Sequence, residues 1–152
     1  MGRMSAALLV LLLAVTTVVS AQAEEAFAGE WQNLKTTRNI VGARVYRAAR
    51  QWMVQLLGAC RPMPCVWEPV PLKFVLAPPN DGPPRAEALF SASNMRRRIT
   101  LHLGEDALLV DVASNQLAVP SRGIPERRYS STDELTRVTV TTEPLVRTRP
   151  AR

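Results

Sequence analysis

The sequence predicts an all-β domain, a small antiparallel meander that is barrel-like, with about eight short strands and one disulfide-closed turn. Three observations carry this. Ile99-Thr100-Leu101-His102-Leu103 alternates strictly, and a Gly104-Glu105-Asp106 turn leads into a second alternating run, Ala107–Ala113. Turn signals recur at the roughly 8–12-residue spacing of sandwiches and barrels. Twelve prolines against seven glycines and only eight aromatics in 152 residues favour many short elements over a few long helices. A composition of 47% hydrophobic and 21% charged residues excludes a collagen-like, wholly disordered or multi-span membrane protein, and the length suits one domain.

Residues 1–23 read as a signal peptide. Arg3 supplies the charged start, Ala6–Val19 is an apolar run without a charged side chain, and Ala21 and Ala23 form an A-x-A cleavage site before Glu24. The run is shorter than the ~18–20 residues of a spanning helix, so an uncleaved anchor is the weaker reading. The chain is therefore expected to be exported, periplasmic or extracellular, and not an integral membrane protein. Residues 24–142 form the barrel-like domain and 143–152 a flexible tail. Net charge is +6, and all cations but Lys35 and Lys73 are arginine, a bias that a GC-rich genome explains without function.

Phe27-Ala28-Gly29-Glu30-Trp31 alternates as a first strand with Trp31 capping a core. Asn33–Asn39 is a polar connection. Val41–Leu57 has two readings: Val41, Val45, Ala49, Trp52, Met53 and Leu56 recur at helical spacing, whereas strands Ile40–Tyr46 and Gln51–Leu57 would form a hairpin whose turn residues disfavour positive φ. Cys60 and Cys65, the only cysteines, are expected to form a disulfide in an oxidising compartment. Two cysteines and one histidine are too few for a structural zinc site, and four intervening residues are unlike the two of a redox pair.

Val66–Leu76 reads as a strand whose first half Pro69 and Pro71 confine to an edge. Ala77–Pro84 is a proline-rich loop, and Ala86–Ser93 a short strand. Leu117–Val119 is a further strand ended by Pro120, Ser121–Ser131 a basic loop, and Leu135–Thr142 the last strand, rich in β-branched residues.

The set F-x-G-x-W (Phe27, Gly29, Trp31), an apolar segment ending in Gly58, and C-x-P-x-x-C-x-W (Cys60, Pro62, Cys65, Trp67) resembles a group of uncharacterised small exported bacterial proteins. The resemblance covers Phe27 to Trp67 and implies an antiparallel β-barrel-like domain, which tilts Val41–Leu57 toward the hairpin. G-x-W at the first strand is also similar to lipocalins. Leu57 replaces the Trp that usually precedes the Gly, Pro64 and Val66 replace acids around the second Cys, and Glu68 replaces a Gly. No role of those acids carries over.

Among chemistry-bearing residues, His102 is the lone histidine, on the face opposite Leu101 and Leu103, and reads as a surface side chain. Ser121, Ser130 and Ser131 lie in no nucleophile elbow. Glu105-Asp106 and Asp133-Glu134 point apart in extended chain and read as turn solvation. No catalytic residue, metal or cofactor is expected. Arg96-Arg97-Arg98 and Arg127-Arg128 are either solvated turns guarding an edge strand or contacts to an anionic surface. Nucleic acid fits less well, because no aromatics interleave with the arginines. Trp31, Trp52 and Trp67 either fill the barrel or line an apolar pocket. The leading expectation is a non-catalytic exported module that binds an anionic component of the cell envelope. The alternative is a calycin-like carrier of a small lipophilic ligand, with a secreted hydrolase third.

Overall fold

The computed structural model describes residues 21–35, 39–75 and 83–139. Most of the expected leader, part of the proline-rich loop and the tail lie outside the described residues. The elements are β1 (Gly29–Gln32), β2 (Ile40–Ala48), β3 (Gln51–Gly58), β4 (Cys65–Val66), β5 (Val70–Val75), β6 (Arg85–Ala92), β7 (Met95–Leu103), β8 (Ala107–Gln116) and β9 (Arg127–Arg137), with a 3-10 turn at Pro120–Arg122.

Each strand pairs antiparallel with the next around the sheet, and β9 returns to β1, which closes an eight-stranded barrel from β1, β2, β3, β5, β6, β7, β8 and β9. The ninth strand, β4, lies along β3 in line with β5. Cys65 pairs with Gly58 and Val66 with Leu57, then Val70 pairs with Val54. The expected single strand Val66–Leu76 is thus interrupted at Trp67-Glu68-Pro69, since Pro69 has no N–H to add to the ladder.

The hairpin reading of Val41–Leu57 holds, with Val45 opposite Val54 and Ala43 opposite Leu56. Its loop is Ala49-Arg50, and Ala49 adopts a φ of 55°. Packing of both strands into the barrel outweighs a turn sequence that does not favour that conformation.

Several boundaries differ from the sequence expectation: the first strand begins at Gly29, with Phe27 in the turn before it, and the last ends at Arg137, with Val138 and Thr139 outside it and 140–142 outside the described residues. Leu117–Val119 is not a strand; Leu117 N donates to Asn94 O, and Val119 makes a single bridge to Ile124. The segment expected as a basic loop instead begins β9, which pairs with β8 from Arg127 opposite Gln116 to Thr136 opposite Ala107. Asp133-Glu134 accordingly lies in mid-strand and not in a turn.

Alternation sends one side chain of each pair inward. Trp31, Val45, Val54, Leu56, Leu72, Ala86, Ile99, Leu101, Leu108, Val110 and Leu135 are all buried. One end is closed by the segment before β1, where residues 21–25 make a helical turn. Phe27 enters the barrel there at 1% exposure, edge-to-face with Phe74 at 5.2 Å, and Trp52 packs on the same ring at 5.6 Å. Charged side chains such as Arg44, Lys73, Arg98 and Glu134 face outward. Apolar inside and charged outside is the reverse of a membrane-spanning barrel. No helix among the described residues is long and apolar enough to cross a membrane.

Candidate functional site at the arginine end of the barrel

The end opposite Phe27 is built differently. Following β6 to β9 toward it, the inward row changes from Ala88, Ile99, Val112 and Ser131 to Phe90, Arg97, Ser114 and Tyr129. The mouth is therefore polar and charged where the middle of the barrel is apolar. Its remaining wall comes from the end of β3 and from β4, where the Cys60–Cys65 disulfide holds the loop with its Cα atoms 5.3 Å apart. Trp67 follows directly, half-buried, and lines the opening. A Cβ at Gly58 would lie 2.9 Å from Trp67 Nε1 and 3.2 Å from Cys65 Sγ, so glycine is what lets the indole and the disulfide pack down on β3.

Arg97 is the centre of this end. Its guanidinium carbon sits 4.1 Å from the centroid of Trp67 and 5.6 Å from that of Phe90, and the two rings themselves are 5.6 Å apart. Cation–π contact fixes the plane of the guanidinium while leaving its N–H edge for other partners. Among the described residues, no carboxylate lies within 4.0 Å of Arg97 and no side-chain hydrogen bond reaches it. Tyr129 Oη donates to Met95 Sδ at 3.6 Å, a weak acceptor.

A cavity of about 240 Å³ opens here, lined by Arg97, Trp67, Ser114, Tyr129, Ser131 and the disulfide, among others. A wider, open depression of about 760 Å³ lies on the outer face of the same strands and carries Arg96, Arg98 and Arg128; Arg97, Ser114, Tyr129 and Ser130 border both because the sheet between is one layer thick.

The two arginine clusters named from the sequence thus meet. Strand β8 lies between them, with Arg96 opposite Asn115 and Asn115 opposite Arg128. Alternation then divides them: Arg96, Arg98 and Arg128 point outward, while Arg97 belongs to the inward row and Arg127 to the rim. Arg128 pairs with Glu126 at 3.0 Å, and no carboxylate approaches Arg96, Arg98 or Arg127 among the described residues.

The three tryptophans do not share a pocket. Trp31 is 3% and Trp52 7% exposed, both in the core, and only Trp67 reaches the mouth. The inward layers between are filled by Val, Leu and Ile side chains.

His102 does have a partner that the sequence left unnamed. Its Nε2 lies 3.3 Å from Asp111 Oδ2 on the outer face of β7 and β8, and Thr132 Oγ1 donates to the other Asp111 oxygen. Ser130 and Ser131 are at the mouth instead: Ser130 pairs with Ala113, whereas His102 pairs with Leu109, four positions further along β8. Ser121 sits in the 3-10 turn. No serine–histidine arrangement is assembled from these.

Asp133 is a buried carboxyl group that the sequence reading placed in a turn. It is 2% exposed, Oδ2 accepts from Ile40 N at 3.1 Å, and Oδ1 has no partner among the described residues. Among the described residues no cluster of three His, Cys, Asp or Glu could hold a metal ion. Comparison of the chain with protein-family models, curated proteins and solved structures finds no match.

Proposed function

We propose that the chain is an exported, non-catalytic binding module that docks the arginine-bearing end of its barrel onto anionic groups of the cell envelope. One observation carries this reading: strand register gathers five arginines at one end of the barrel against, among the described residues, a single close carboxylate, Glu126. Arginines left without carboxylate partners keep their N–H groups for an external anion, and a like-charged cluster repels itself until one arrives. The filled interior favours a surface role over the carriage of a lipophilic ligand inside the barrel. The apolar leader and the disulfide pair support export.

The test is adsorption of the exported chain to vesicles of anionic phospholipid, with neutral phosphatidylcholine vesicles as the control. Each cation near such a surface contributes about 1 kcal/mol, so replacing Arg96, Arg98 and Arg128 together by Ser is expected to weaken adsorption on the order of a hundredfold at low salt. Raising the salt to shorten the screening length is expected to weaken the unaltered protein in the same direction. Adsorption that ignores both changes would refute the reading.

A further inference from the structure

We propose that the cavity beneath Trp67 is a binding site for a phosphate group, held by Arg97 in the polar mouth of the barrel. The proposal rests on the reading of this end as anion-binding and goes beyond it, from a diffuse surface to one built pocket.

Three features support it. The first is the state of Arg97, whose guanidinium is half-buried, stacked on Trp67 at 4.1 Å and unpaired among the described residues. The stack leaves the N–H fork without a protein acceptor, and an oxyanion meets such a fork with two parallel bonds. Stacking has already fixed the plane, so little ordering remains to be done on binding. The second is the surrounding donor set. Ser114 and Ser131 bring hydroxyls to the same cavity from two adjacent strands, and among the described residues no acidic side chain lines it. Hydroxyls on a second side of the anion suit a tetrahedral phosphate, which accepts from several directions, better than a planar carboxylate. The third is size. About 240 Å³ is below the roughly 300–1,000 Å³ of a pocket for a drug-sized molecule, so the cavity takes a headgroup and not a whole lipophilic ligand.

Phosphate could reach the site as a soluble ester or as a lipid headgroup, and the chemistry at Arg97 is the same for both. The test begins with inorganic phosphate and glycerol 3-phosphate titrated into the exported chain at constant ionic strength. Calorimetry and the Nε–Hε resonances of the arginines are the readouts, and acetate is the comparison anion. The expected result is saturable phosphate binding that shifts the Arg97 resonance most. Arg97→Met is expected to weaken it at least tenfold. Ser114→Ala, which removes one hydroxyl from the cavity wall, is expected to weaken it severalfold.

Non-saturable binding, acetate bound as tightly as phosphate, or affinity unchanged in both variants would overturn the proposal. Vesicles containing phosphatidic acid then identify the source. Arg97-dependent adsorption marks a lipid headgroup, and binding of the soluble ester alone marks a free ligand; either outcome upholds the phosphate site. The outer variants separate this proposal from the surface reading. Arg96→Ser, Arg98→Ser and Arg128→Ser together are expected to change phosphate affinity less than threefold while reducing adsorption. Adsorption indifferent to them, with the phosphate titration intact, would sink the surface reading alone, whereas adsorption without a phosphate site would sink this one alone.

Discussion

Arg137, from the last strand, lies with its guanidinium carbon 4.2 Å from the centre of the Trp31 indole on the first strand. The same guanidinium donates to the carbonyls of Ala28 and Ala26, and Trp31 Nε1 donates to Phe27 O. One side chain therefore ties the closing strand pair to the segment that plugs the barrel with Phe27. A hydrogen bond from a charged donor contributes about 1.5–3 kcal/mol when well buried. Arg137 is exposed, so Arg137→Ala is expected to cost about 1–2 kcal/mol in denaturant unfolding. Arg137→Lys keeps the charge but cannot fork between two carbonyls, and is expected to recover less than half. A Lys variant as stable as the wild type would show that charge alone, and not the clasp, matters.

The plug can be tested directly. Phe27 is 1% exposed and meets Phe74 edge-to-face, so Phe27→Ala removes a large side chain from a site whose walls are strands. Strand walls held by their own ladders collapse poorly onto a void, and the expected loss is about 3–5 kcal/mol. A loss under about 1 kcal/mol would mean that this end of the barrel is not closed by Phe27.

Gly58→Ala probes the opposite end. The added methyl would meet the Trp67 indole at 2.9 Å and the Cys65 sulfur at 3.2 Å, so the ring must lift off β3 and away from Arg97. The near-ultraviolet circular dichroism of the tryptophans is expected to change, with a stability loss of about 1–3 kcal/mol from overpacking. An unaltered spectrum would show that Trp67 does not depend on that glycine.

Sequence legibility followed the chemistry of the inward face. Ile99–Leu103 and Leu108–Val112 were readable because apolar residues face in and polar ones out. Strand β9 was read only from Leu135, and its first part escaped because its inward positions near the mouth are Tyr129, Ser131 and Asp133, polar residues with no period to detect. Val41–Leu57 mimicked a helix by accident of spacing: Val45, Trp52 and Leu56 face the core, but Ala49, which completes the helical pattern, sits in the turn. The candidate site divided in the same way. Each arginine cluster and each tryptophan was visible, yet their meeting across β8, the Arg97–Trp67 stack and the Arg137–Trp31 clasp are matters of register, which pattern alone does not determine.

The hairpin loops hold local strain that a substitution can relieve. Ala49 and Ser93 are the first residues of the loops joining β2 to β3 and β6 to β7, with φ of 55° and 46°. A residue with a Cβ pays about 1–2 kcal/mol in the left-handed region, and glycine avoids this at some entropic cost in the unfolded chain. Ala49→Gly and Ser93→Gly are each expected to raise stability by about 0.5–1 kcal/mol, and Ala49→Val to lower it. Two glycine variants less stable than the parent would show that these loops are not strained.

The disulfide gives the last prediction, and it concerns both stability and the mouth. Cys60 and Cys65 close a short loop, for which the chain-entropy account gives about 2 kcal/mol of stabilisation. Replacing both by Ser is expected to lower stability by about that much. The loss should match that of the reduced wild type, since the two share the same open loop. The barrel itself is closed by β9 on β1 and not by this bond, so the variant should keep its strand signal in far-ultraviolet circular dichroism. The effect on the mouth should be larger than the effect on the fold, because Trp67 follows Cys65 by two residues and shares the Gly58 wall with it. Quenching of Trp67 by a soluble quencher is therefore expected to increase, while the buried Trp31 and Trp52 stay protected. Equal quenching in both forms, together with an unchanged melting temperature, would show that the loop holds its shape without the bond.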